Sequence, residues 1–164
     1  VEIPGLGNVT FDADCDGYVS APLPVPVLGS ALCPVAMVGY DDDEAQEDFH
    51  AAVAAFLALD ADGLKSASVP VFEYYQDVRA MLGGDEDLVS IGGPDEVWDH
   101  VQLGTEVWVQ RDGAVYVAVE SECAWQPEDG VLIVLRGGRE VTKVGPFDGQ
   151  FTNERDGVVY ERFG

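Results

Sequence analysis

A chain of 164 residues with 47% hydrophobic side chains has the length of one domain and enough apolar surface to bury a sizeable core. Its 31 acids against 8 bases give a net charge of -23, which repels nucleic acid and anionic lipid and attracts cations or basic proteins. No apolar run approaches the roughly 20 residues that a bilayer span needs, and the opening VEIPGLG has neither a basic n-region nor an apolar h-region, so a soluble cytoplasmic protein is expected.

In chain order, Val9 to Phe11 and Gly17 to Ser20 flank an acidic stretch and read as the arms of a hairpin with Asp16-Gly17 at its tip. Pro22, Pro24 and Pro26 then alternate with Leu23, Val25 and Val27. Proline lacks a backbone donor, so this is an edge strand or an extended segment. Cys33 to Tyr40 is apolar enough for a strand.

Helix follows. Phe49, Ala52, Val53, Phe56 and Leu57 recur at helical spacing, and the acids Asp41 to Glu44 precede them, at the positive end of the helix dipole. A second helix is expected from Ser68, read as its cap, with Pro70 in its first turn. Its stripe is Val71, Tyr74, Tyr75, Val78 and Leu82, and Gly83-Gly84 ends it. A short turn or helix follows Pro94, through Val97 and Trp98.

The last third alternates as strands do. Thr105 to Gln110 leads into the tight turn Arg111-Asp112-Gly113. Ala114 to Trp125 follows, with Val115, Val117, Val119 and Ser121 on one face. Val131 to Leu135 and Glu140 to Val144 complete a four-stranded meander. Strands, then helices, then strands define an α+β fold. The expectation is a single domain over residues 1–164, with N-terminal β hairpin and strands, two central helices, and a C-terminal antiparallel β meander packed on them.

Three groups of residues could carry chemistry. In DADCDGYVSAPL, Asp12, Asp14 and Asp16 fit the first three ligand positions of a calcium loop, Gly17 its sixth and Ser20 its ninth. Position twelve is Leu23, where a bidentate glutamate is needed, and the flanks read as strands rather than helices. A hairpin turn is therefore the preferred reading.

The second group is Glu120 to Gly130. On a strand, Cys123 and Trp125 share one face and Glu120, Glu122 and Ala124 the other. A nucleophilic Cys123 needs a base, and only His50 and His100 exist, with nothing placing either beside it. The two histidines show no metal-ligand spacing. Three widely spaced cysteines without a CxxC suit a reducing compartment.

The third group is the acids. Residues 1–100 hold 20 acids and 2 bases, and residues 101–164 hold 11 and 6. The clusters Asp41, Asp42, Asp43, Glu44, Glu47, Asp48 and Asp85, Glu86, Asp87 are candidate partner-binding surfaces. As solvated helix-start and loop residues they would need no partner. No phosphate-binding glycine loop, nucleophile elbow or basic aromatic patch is present.

IPGLGNVTFD (3–12), YVSAPLPVPVLG (18–29), GYDDDEAQEDFHAAVAAFLALD (39–60), YYQDV (74–78) and ECAWQPEDGVLIVLRGGREVTKVGPFDGQFTN (122–153) together resemble a family of uncharacterised bacterial domains of unknown function. The last segment is the most specific. The resemblance implies a Cys-x-Trp-x-x-Glu-His-Gly motif, which Cys123, Trp125, Glu128 and Gly130 match. Asp129 stands where that motif has histidine, which favours a structural role here. Such small acidic bacterial domains often sit among immunity proteins of toxin systems.

The reading is thus a non-enzymatic, immunity-like protein that docks its acidic face on a basic protein, with no cofactor and with neither nucleic acid nor membrane as partner. The alternatives are an enzyme using Cys123 with Glu122 or Glu128, and a calcium module using Asp12, Asp14 and Asp16.

Overall fold

A computed structural model describes residues 1–60, 62–82, 88–153 and 157–161. The chain opens with β1 (Glu2–Ile3), β2 (Gly7–Asp12), β3 (Gly17–Ser20), β4 (Leu23–Val25), β5 (Ala31–Cys33) and β6 (Val35–Val38). Two helices follow, α1 (Gln46–Ala58) and α2 (Ser68–Met81). A 3-10 segment, Pro94–His100, leads into β7 (Val101–Asp112), β8 (Ala114–Cys123), β9 (Val131–Arg136) and β10 (Glu140–Gly145). The α+β reading holds, with the helices central and the antiparallel meander after them.

Eight strands form one sheet in the order β1-β2-β3-β6-β7-β8-β9-β10. All neighbours are antiparallel except β6 and β7, which pair in parallel through Ala36↔Trp108 and Met37↔Val109. That one parallel pairing joins the N-terminal strands to the meander. It needs a crossover connection, which the segment carrying α1 and α2 supplies. The proline-rich stretch divides: Leu23–Val25 pairs with β5 in a separate ribbon, and Pro26–Leu28 turns as a 3-10 segment. Pro34 splits the expected Cys33–Tyr40 strand, so β5 ends at Cys33 and β6 starts at Val35.

One face of the sheet carries the core. Phe49, Ala52, Val53 and Phe56 of α1 and Val71, Tyr74, Tyr75 and Val78 of α2 are buried in one cluster with Val35, Met37, Val107, Val109, Val117, Val119, Ile133 and Leu135. Ser121 shares this face, and its Oγ accepts the Gly104 N–H at 3.1 Å, where the β7–β8 register shifts. Ser20 is likewise buried, and its Oγ accepts the Val35 N–H at 2.9 Å, fastening β3 to β6.

Two helix-end expectations change. Ser68 is the first helical residue rather than the cap, and its Oγ instead accepts the Trp98 indole N–H at 2.9 Å. The helix closes at Met81, with Leu82 exposed rather than in its stripe. Gly83 and Gly84 lie outside the described residues.

Candidate functional site

The opposite, outer face of the sheet is only partly covered. Alternation on the strands sends Ala36 and Val38 of β6, Glu106, Trp108 and Gln110 of β7, Tyr116, Ala118 and Glu120 of β8, and Leu132 and Val134 of β9 to this side. Ala118, Leu132 and Val134 form a small second core, with Trp108, Tyr116 and Phe151 packed on it.

After β10 the chain turns back across this face, and Lys143 holds it there. The Lys143 ammonium, almost fully buried, donates to both Asp148 carboxylate oxygens at 2.9 and 2.7 Å. It also donates to the Gln150 and Thr152 carbonyls at 3.1 and 3.4 Å. A lysine loses its hydration on burial, so it needs these four acceptors. The Gln150 N–H donates to Asp148 Oδ1 at 2.9 Å, closing a tight Asx turn.

The anchored return makes one wall of a trough. A cleft of about 290 Å³ is lined by Val38, Trp108, Gln110, Ala118, Leu132, Phe147 and Phe151, with Asp14 and Cys15 at its edge. A second hollow of about 150 Å³ shares Cys15 and Trp108 and extends to Asp12, Val19, Ala36 and Glu106. Glu106 and Glu120 face each other directly across β7 and β8. Partial burial, then the Glu120 carboxylate opposite, push the Glu106 carboxyl up from its ordinary value.

The acid-rich loop before α1 is organised differently from a uniform patch. Arg111, at the end of β7, grips Asp43 through Nε–Oδ2 at 2.7 Å and Nη2–Oδ1 at 3.1 Å, and reaches Asp48 at 2.8 Å. Asp43 also accepts the Ala45 N–H at 2.9 Å. The Arg111 guanidinium first, and the Ala45 N–H second, hold the Asp43 carboxyl below the usual range. Asp41 accepts the Tyr18 hydroxyl at 2.9 Å. Asp41, Asp43 and Asp48 are therefore tied internally. Asp42, Glu44 and Glu47 are exposed, with no ion pair among the described residues. Asp85, Glu86 and Asp87 lie outside those residues.

The aspartate-rich loop closes the β2–β3 hairpin, with Asp12 paired to Gly17. Gly17 is thus the first residue of β3 and not at the tip. A β-carbon on it would run into the Met37 carbonyl of β6, which explains the glycine. Asp16 adopts a left-handed φ of 52°. Asp12 Oδ1 accepts the Asp14 N–H at 2.9 Å, an Asx turn rather than a ligand arrangement. Among the described residues, no group of three His, Cys, Asp or Glu side chains could hold a metal ion.

Cys123 and Trp125 are buried beneath the corner between β8 and β9, and Glu122 is exposed. The Cys123 thiol donates to the Gln126 carbonyl at 3.6 Å, and burial pushes it up to about 12. A thiol so buried packs in the core, and its raised value works against the thiolate form. Trp125 stands edge-on to Tyr74 and Tyr75, and Tyr74 donates to the Gly130 carbonyl at 2.8 Å. His100 borders the shallow opening beside Cys123, with Asp99 and Glu122. His50 is held by the Tyr40 hydroxyl at 2.6 Å.

What the residues define is an α+β domain with one helix-covered face, one open face bearing an aromatic trough, and an acidic surface. The profile described as Domain of unknown function (DUF6985) matches residues 5–151, and the chain belongs to that family. No curated protein and no solved structure matches the chain.

The sequence reading missed the trough, its Lys143 anchor and the Arg111 clamp. Two phenylalanines spaced four apart around Asp148-Gly149, just after a strand lysine, were the available signal.

Proposed function

We propose that the protein is a non-enzymatic binding protein that docks on a basic protein partner, in the manner of bacterial immunity proteins. The observation that carries this reading is the uncompensated acid on its surface. The four ion pairs among the described residues draw on Lys65, Arg111 and Lys143, against 31 acids in the chain. Such a field steers a cationic protein into encounter and orients it. Asp42, Glu44 and Glu47 offer carboxylates that a partner's arginines can engage without breaking an internal pair, while Arg111 holds the backbone beneath them.

In the stretch Glu122-Cys-x-Trp-x-Pro-Glu-x-Gly130, Cys123, Trp125 and Gly130 have structural reasons, while Glu122, Pro127 and Glu128 are exposed. Cys123 and Trp125 fill the core. Gly130 sits at φ 65°, where a β-carbon would also strike the Ser121 carbonyl. A nuclease is a fitting partner, because a cleft that binds a polyanion is basic.

The test is a titration of the intact chain against the product of any neighbouring toxin gene, and against basic proteins recovered from the host. Affinity should fall steeply with salt and drop at least about tenfold in the triple variant Asp42→Lys, Glu44→Lys, Glu47→Lys. Binding that ignores both salt and this charge reversal overturns the reading.

A further inference from the structure

We propose that the outer-face trough seats an extended segment of the basic partner, with an arginine or lysine and an apolar side chain two positions apart. The inference rests on the binding reading above and names where, and by what chemistry, that partner is gripped.

The trough is elongated along the strands. Its two hollows are lined in turn by Glu106, Trp108 and Gln110 of β7, and by Ala36 and then Val38 of the adjacent parallel β6. From Glu106 to Gln110 a strand covers about 13 Å, room for two side chains of an extended chain, which project to one side every second residue.

The ends differ in chemistry. The Gln110 end has Trp108 in its floor and Phe147 and Phe151 in its wall, and it suits an apolar side chain. The Glu106 end has Asp12 in its lining, Asp14 lies at the edge of the apolar end, and none of the residues lining either hollow is basic.

Glu106 and Glu120 sharpen that end. Two carboxylates placed directly opposite on neighbouring strands repel, and partial burial strengthens the repulsion. A guanidinium or ammonium seated in the hollow beside Glu106 relieves it, and Trp108 lines that same hollow.

The wall is also set in advance. Lys143 holds the Asp148 carboxylate and the Gln150 and Thr152 carbonyls, so the turn bearing Phe147 and Phe151 is fixed before anything binds. Phe147 stays 43% exposed there, an aromatic side chain without full cover. Beyond Val38 the chain continues through Gly39 and Tyr40 into the loop of Asp41 to Glu44. A segment leaving the apolar end therefore runs toward the carboxylates of the docking surface.

The probe is a blocked glycine–serine heptapeptide carrying arginine and leucine two positions apart, titrated into the full chain by calorimetry and by amide chemical shifts. Two controls replace the arginine by uncharged citrulline, or set arginine and leucine side by side. Expected is saturable binding with shifts at Trp108, Gln110 and Phe147, at least about tenfold weaker for both controls and for Phe147→Ala.

Glu106→Gln separates function from packing. It should weaken the peptide several-fold while raising the melting temperature by about 1–3 °C, because the carboxylate repulsion is gone. Equal binding of the citrulline peptide, wild-type affinity in both variants, or no shifts at millimolar peptide overturns the proposal. If an intact basic partner docks salt-dependently but ignores Phe147→Ala and Glu106→Gln, the trough is refuted and the binding reading stands. If no basic protein docks at all, that reading fails, and the peptide titration still decides the trough.

Discussion

Lys143 and Asp148 give unequal predictions for the two halves of one ion pair. The lysine side chain is 4% exposed and the aspartate 47%. In Asp148→Asn the ammonium keeps its carbonyl acceptors but loses its counter-charge. Removing one partner of a buried pair costs about 3–5 kcal/mol. Asp148 is half in water, so roughly half of that is screened, leaving about 1.5–2.5 kcal/mol. For a chain of this length the melting temperature should fall by about 3–10 °C. Lys143→Met keeps the buried methylenes and removes the charge. Asp148 and the exposed carbonyls of Gln150 and Thr152 can then turn to water, so the cost should be about 0–1 kcal/mol. The assay is thermal unfolding by circular dichroism, with hydrogen exchange at the Gln150 amide reporting release of the return segment. A larger loss for Lys143→Met than for Asp148→Asn would refute the reasoning, since the pair would then stabilise by more than the charge costs to bury.

The Arg111 clamp should be legible in pH. Because Arg111 holds the Asp43 carboxyl below its unfolded value, that stabilisation is complete above about pH 4 and is lost as pH falls through the lowered value. In Arg111→Ala the melting temperature should lie below wild type above about pH 4 and fall less steeply on acidification, so that the two profiles converge at low pH, and a gap that stays constant down to low pH would remove the clamp's role. Native thiol labelling at mildly alkaline pH should modify Cys15 first, with Cys33 and Cys123 protected by burial. Labelling of Cys123 as fast as Cys15 would contradict its packing. Gly130→Ala should cost more than about 2 kcal/mol by denaturant unfolding, because a left-handed residue and a blocked β-carbon coincide there. A loss below 1 kcal/mol, against that estimate of about 2, would show that the corner yields.

What the sequence reveals follows from how local each signal is. Val115, Val117, Val119 and Ser121 are readable because a half-buried strand repeats every second residue within itself, and the α1 stripe because a helix does so every three to four. The β6–β7 pairing is not readable, since nothing inside Val35–Val38 names a partner some seventy residues away. The same distance hides Arg111 from Asp43, so six acids that look alike along the chain divide into three tied internally and three with no ion pair among the described residues. Lys143 misleads in another way. A lysine in a short strand reads as solvent-facing, and only the return of Asp148 over the sheet makes its burial tolerable. The proline-rich stretch was readable as irregular, but its split into a ribbon and a 3-10 turn depends on where β5 finds room.

Three positions where local choices work against stability gather on the outer face. Glu106 opposes Glu120 on neighbouring strands. Phe147 is left nearly half exposed. Trp108 keeps an indole N–H without an acceptor among the described residues. Glu106, Trp108 and Phe147 all line the trough. On the helix-covered face the buried hydroxyls of Ser20, Ser121 and Tyr74 are hydrogen-bonded, whereas the Trp125 indole N–H, like that of Trp108, has no acceptor among the described residues. Proteins tolerate local conflicts chiefly where function requires them and compensate elsewhere. A sheet face shaped for stability alone would place an opposite charge across from Glu106 and a polar residue at 147. Exposed acids are solvated one by one, whereas Glu106 and Glu120 face each other across two strands, partly buried, beside an open aromatic wall. That is the arrangement the proposed arginine or lysine of a partner would relieve.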